Sequence, residues 1–263
     1  MNSRVLFALR FALCPLLLSG CRGVSPLGQR ITVGTDPFAV VVGEGPDHQT
    51  DLFALDAEGG EVMRLTFTRA RESGLALHPA GTVVAFLRRD TGVSDSGPAS
   101  LVALNLINSS EREAAVPARI GVARRVGWSS DGSRLYVLGD SGIAVSAAPP
   151  AAMALTRVDT LSAEWPAADS ATAVLFGTPA FARLETCAKD CISSAAMPWC
   201  VVTPDGKKTE LGRVVNPFRW GSDSLAYTES DKLIVRPLGG GMPRVVPWSR
   251  APERPRDGAY WTP

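Results

Sequence analysis

The sequence predicts an all-β fold, a β-propeller, on three observations. An apolar strand, a small polar turn and a second apolar strand recur along the chain. A further hairpin follows in several copies, and the two chain ends are complementary parts of one such unit. The clearest copy is Arg125-Val126-Gly127-Trp128-Ser129-Ser130-Asp131-Gly132, followed by SRLYVLGD. LALHPAGTVVAFLRRD aligns with it, with Leu77 in the tryptophan place and Gly81 matching Gly132. AEWPAADSATAVLFG around Trp165 and FRWGSDSLAYTES around Trp220 are further copies, and GAYWTP stops just after Trp261.

Each element has a physical reason. Asp-Gly supplies the turn, because glycine tolerates positive φ and aspartate bonds its own backbone. The runs VVAFL, LYVL and AVLF suit strands buried on both faces between neighbouring sheets. The second hairpins are DLFALDAEGGEVMRLT (51–66), IAVSAAPPAAMALTRV (143–158) and KLIVRPLGGGMPRVV (232–246), each with a Gly- or Pro-marked turn. Anchors at Leu77, Trp128, Trp165, Trp220 and Trp261 recur at roughly 40–50 residues, the length of a four-stranded blade.

The last anchor lacks the rest of its blade, while FAVVVGEG and DLFALDA open the fold in mid-blade. Strand AYW should therefore join the first blade and close the ring, removing exposed sheet edges. Five blades are expected. Six would follow if the stretch from Phe181 to Trp199, within a Cys-containing insertion at about 178–200, belongs to another.

WSSDG before an apolar strand, together with GGEVMRLT, resembles the repeat of TolB-type periplasmic propellers, also seen in prolyl oligopeptidases. The resemblance spans roughly residues 36 to 250, through short and degenerate repeats, and implies a fold more than a function. HPAG, PAADS and WGSDS drift from the repeat, and neither a second N-terminal TolB domain nor a hydrolase domain is expected in this sequence.

Residues 1–20 carry Arg4 and Arg10, no acid, and a short apolar run from Phe11 to Leu18. That is the grammar of a signal peptide, too short to span a bilayer stably. Leu18-Ser19-Gly20-Cys21 resembles the bacterial lipobox. The resemblance implies a diacylglyceryl group on the Cys21 thiol, cleavage before Cys21, and acylation of its freed amine. Several acyl chains make such an anchor stable. Arg22, where an inner-membrane retention signal has Asp, leans towards the outer membrane. Residues 21–34 are expected as lipidated cysteine and tether, and 35–263 as the propeller, facing the periplasm.

Of 263 residues, 45% are hydrophobic and 20% charged, too apolar for a disordered chain. The formal charge is +1, and the two leader arginines outweigh it. A nearly neutral exported chain presents no field for nucleic acid.

Candidate chemistry is sparse. Cys187, Cys191 and Cys200 are disulfide candidates in an oxidising compartment, and the sequence does not select a pairing. No histidine neighbours them to complete a zinc site. His78 reads as a surface turn residue. His48, in the polar loop GEGPDHQTD, and Trp199 and Trp248, which break the repeat, are the partner-binding candidates. The other tryptophans read as inter-blade core.

No G-x-S-x-G elbow occurs, and Gly239-Gly240-Gly241 is a hairpin turn, not a phosphate loop. Asp36, Asp51, Asp56, Asp90, Asp140 and Asp159 are scattered, many at strand ends. No catalytic residue, metal or cofactor is assigned. The expected function is a lipid-anchored, non-enzymatic module that binds a protein or peptide in the cell envelope. A carbohydrate-binding or carboxylate-using glycoside-active propeller is the alternative.

Overall fold

The computed structural model describes residues 27, 30–94, 96–129, 131–149, 151–158, 172–173, 183–186, 197–202, 208–249 and 253–263. Residues 61–62 and those described between 156 and 215 are described by backbone alone. Among the described residues, nineteen strands form four antiparallel sheets, a β-propeller arrangement.

In chain order, β1 (Phe38–Glu44), β2 (Thr50–Asp56) and β3 (Glu61–Arg64) begin the first sheet. The second runs in order through β4 (Arg71–Leu77), β5 (Val83–Arg89), β6 (Ser100–Asn105) and β7 (Glu111–Ala115). The third holds β8 (Ala123–Trp128), β9 (Arg134–Gly139), β10 (Gly142–Ala147) and β11 (Thr156–Val158). The fourth joins β12 (Thr172–Ala173), β13 (Arg183–Thr186), β14 (Met197–Val202), β15 (Lys208–Trp220), β16 (Ser224–Glu229), β17 (Lys232–Pro237) and β18 (Arg244–Val245).

The repeat places a break where this last sheet has none. The strand β15 is 13 residues long: its first part pairs with β14 and its last part with β16. One continuous strand therefore fuses two four-strand pairings that the repeat separates. The stretch expected as an irregular insertion supplies the paired strands β13 and β14. Trp165 lies outside the described residues.

The strand β19 (Arg254–Trp261) lies beside β1, from Phe38 opposite Trp261 to Glu44 opposite Arg254, and completes the first sheet. Chain end and chain start thus share one blade, as their complementary halves predict. The strands β1 and β2 are buried along nearly their whole length, because sheets cover both of their faces. Inner strand meets inner strand from sheet to sheet: β15 packs on β19, β19 on β4, and β4 on β8.

The anchor tryptophans peg neighbouring sheets together. Trp261 Nε1 donates to the Pro79 carbonyl (2.7 Å), Trp128 Nε1 to Ala76 (3.2 Å) and Trp220 Nε1 to Ala57 (3.3 Å). Each indole is thereby buried with its one donor satisfied. Where the second sheet has Leu77 for tryptophan, the next residue takes over the peg.

His78 lies edge-on to Trp128, with centroids 4.8 Å apart, and its Nε2 donates to the Gly132 carbonyl at 3.2 Å. The Ala80 N–H donates to Nδ1, so the ring is the neutral Nε2–H tautomer. Burial pushes the His78 pKa down, and the Gly132 bond only partly offsets that. His78 is thus an inter-blade residue and not the surface turn residue its position suggests. Gly132 must be glycine on two counts: its φ is +72°, and a Cβ would stand 2.3 Å from His78 Nε2.

The core also begins earlier than expected. Leu27 and Ile31 are 1% and 2% exposed, packed between the first two sheets with Phe38, Phe86 and Leu106. Folded packing reaches into the segment expected as tether because these two side chains fill that space.

Truncating Trp261 to alanine removes both a core aromatic and the peg at the closing strand. A loss of about 3–5 kcal/mol is expected, measured by denaturant unfolding.

Candidate functional site

The inner strands are irregular at one level. Against its partner, β4 has an extra residue between Ser73 and Ala76, β8 at Arg124, β15 between Val215 and Phe218, and β19 at Arg256. Such bulges bend a strand and redirect its side chains. Here they also tie neighbouring sheets. Asn216 Nδ2 donates to the Arg256 carbonyl (2.9 Å), and the Gly74 N–H donates to Asp257 Oδ2 (3.1 Å). Gly74 in turn abuts the next bulge, where a Cβ would stand 2.8 Å from the Arg124 carbonyl oxygen.

Asp257 is the carboxylate of this inner ring. Burial pushes its pKa up, opposed by the charge of Arg125 and the N–H groups of Gly258 and Gly74.

The loops at the N-terminal ends of β4, β8 and β19 form what we term the upper face. The loop between β3 and β4 is braced from below. Glu72, its side chain fully buried, accepts from Thr66 Oγ1 (2.7 Å) and from Arg88 Nε and Nη2 (3.2 and 3.0 Å). Arg88 also grips both carboxylate oxygens of Glu111, at 2.9 and 3.0 Å. Asp51 binds Arg64 and accepts from the Thr68 N–H at 3.1 Å.

On this scaffold the Phe67 ring stands 75% exposed, with the Arg64 guanidinium 4.7 Å from its centroid. An exposed aromatic on a pinned loop loses little entropy when a partner covers it.

On the same face, Arg256 binds Glu44 and Asp231, and Arg254 binds Asp231 at 3.0 Å. Burial pushes the Glu44 pKa up, but its bonds to His48 and Arg256 outweigh this, and the carboxyl sits below its usual range.

Of the expected partner residues, His48 lies on this face, at the tip of the β1–β2 turn with φ +58°. Its side chain is 78% exposed, and Nδ1 donates to Glu44 Oε1 at 2.7 Å. Trp248 is half-buried instead, edge-on to Phe53 at 5.3 Å, with Nε1 donating to the Glu253 carbonyl. Trp199 lies in β14 opposite Gly212, and Cys200 follows it across a break in register. Cys21, Cys187 and Cys191 lie outside the described residues. Phe67 escaped the sequence reading because LTFTRA reads as the end of a hairpin. Nothing local shows that the ring faces water.

Several of the scattered aspartates serve local structure. Asp36 accepts from the Thr32 N–H, Asp56 from Glu58 and Gly60, and Asp140 pairs with Arg124. Among the described residues, no three His, Cys, Asp or Glu side chains are grouped to hold a metal. On the opposite, lower face a groove of about 300 Å³ lies between the first and last sheets, lined by Glu58, Trp220, Asp223, Met242, Arg244 and Tyr260.

No family model matches this chain, and no curated protein matches it in sequence. Among solved structures, a chain of a nidogen/laminin complex is similar at 10% identity and a TM-score of 0.56, covering 86% of this chain and 98% of that one. TolB from Acinetobacter baumannii is 11% identical, with a TM-score of 0.45, over 89% of this chain and 69% of its own. A puromycin hydrolase is 15% identical, with a TM-score of 0.41, over 83% and 36%. The first likeness is one of fold, and the other two scores are too low to argue from. The fold is a β-propeller.

Glu72 makes the brace pH-dependent. Burial pushes its pKa above the ordinary glutamate value of 4.5, and Thr66 and Arg88 only partly restrain it. A raised folded-state pKa means the stabilising influence is complete below 4.5 and lost as pH rises through the raised value. Glutamine mimics the protonated form, so Glu72→Gln should gain stability relative to the parent between about pH 4 and pH 7. Denaturant midpoints of the two proteins across that range check this.

Proposed function

We propose that the chain is a non-enzymatic protein- or peptide-binding module of the bacterial envelope, held at a membrane by lipid on Cys21 and docking through its upper face. The observation that carries the docking surface is Phe67, exposed beside Arg64 on a loop braced by the buried Glu72 and Asp51. Aromatic and arginine side chains at the centre of a rigid patch are the usual anchors of a protein interface. His48 and the Arg254–Asp231–Arg256 cluster give that patch a polar rim.

The similarity in fold to a chain from a nidogen/laminin complex is consistent with a propeller that docks protein. The anchor rests on the lipobox-like Leu18-Ser19-Gly20-Cys21. No helix among the described residues is long and apolar enough to cross a membrane. A disulfide among Cys187, Cys191 and Cys200 completes the proposal for an oxidising compartment.

The test is capture of partners by the tagged, lipidated protein from gently solubilised envelopes, identified by mass spectrometry. A stoichiometric partner should be retained by the parent and lost with Phe67→Ala, whose melting temperature should be unchanged because the ring is solvated. Retention of every partner by Phe67→Ala would remove the upper face from the reading. Cys21→Ser should move the protein from the membrane to the soluble fraction, and unchanged membrane retention would end the anchor model.

A further inference from the structure

The burial of Leu27 constrains how the disc sits on a membrane. Its carbonyl accepts from the N–H groups of Arg30 (3.0 Å) and Ile31 (2.7 Å), and Ile31 lies in the same core. Arg30 reaches Asp56, at the end of β2, at 3.9 Å. A Cβ on Gly34 would stand 3.3 Å from the Ala80 carbonyl oxygen. Residues 30–36 therefore lie on the lower face, among the turns that join β2 to β3 and β4 to β5. The next turn, between β6 and β7, adjoins them through the Leu106 N–H bond to Thr82.

Five residues separate Cys21 from Leu27. Fully extended, that stretch reaches at most about 20 Å. Strands of six to eight residues make the disc about 20–25 Å thick. A stretch that starts beside the lower-face turns and spans no more than the thickness of the disc delivers its lipid at the lower face by the shorter path.

We infer that the lower face rests against the bilayer and the upper face, with Phe67 and His48, points away from it. The inference rests on lipidation of Cys21. The chemistry of the lower face fits a lipid surface. Met242 is 90% and Ile107 51% exposed there, while Arg244 lies across Trp220, with its guanidinium 5.8 Å from the ring. Apolar side chains with an arginine beside them suit the interfacial zone, where the stem is buried and the charge stays hydrated. The groove, lined by Glu58 and Asp223 as well as Met242, Arg244 and Tyr260, then opens towards headgroups and not towards a soluble partner.

The experiment places a biotin-acceptor tag in the β1–β2 turn of one full-length, lipidated protein and in the β6–β7 turn of another. Each is reconstituted into phosphatidylethanolamine–phosphatidylglycerol liposomes, and streptavidin binding is compared on liposomes and in detergent. Co-flotation is read first. Failure to float removes the anchor and the orientation together. For protein that floats, the upper tag should bind equally in both conditions, and the lower tag should bind an order of magnitude more slowly on liposomes. A long Gly/Ser insertion after Arg22 should restore the lower tag while flotation persists. Equal accessibility of both tags on floating protein overturns the orientation and leaves the anchor standing.

Discussion

The pairing of β1 with β19 joins the two ends of the described fold, and the first, second and fourth sheets meet at β19. A propeller of separate sheets has no local interaction that closes its ring, so closure must come from residues far apart in sequence. Here the seam joins the first strand to the last, and Trp261 carries it across to the next sheet through its bond to Pro79. The inner strand of the first sheet is β19, the described strand furthest along the chain from β1. The packing of Phe38, Phe86 and Leu106 around Leu27 and Ile31 then fills the space between the first two sheets.

The same seam organises the site. Because β19 is an inner strand, its bulge places Asp257 against Gly74 of the second sheet and Arg256 against Asn216 of the fourth. The ion pairs of Arg254 and Arg256 continue that connection to the rim. Charged groups of the upper face are therefore part of the closure, and their partners are fixed by it. The buried Glu72–Arg88 pair does equivalent service under Phe67. A buried carboxylate of this kind is costly unless fully bonded, which is why two threonines and an arginine converge on it.

The two faces differ in what they offer. The upper face presents a braced aromatic with a polar rim, and the lower face presents Met242, Ile107 and residues 30–36. In the proposed orientation the lower face would meet the bilayer and the upper face would stay free for a partner. The groove beside Tyr260 falls on the face proposed to meet lipid.

The sequence by itself determined the propeller, its hairpins and its closing strand. Alternating turns and doubly buried strands are local signals, and Trp128, Trp220 and Trp261 recur at blade spacing. It also carried the exposed His48, because a polar loop between strands is legible one residue at a time. Only the tertiary structure decided that His78 replaces a missing tryptophan, that β15 runs unbroken through two pairings, and that Trp248 is half-buried. It alone brought the bulges into register and left Phe67 in water above Glu72. Each of these depends on what a neighbouring sheet places opposite the residue, and that neighbour lies tens of residues away along the chain.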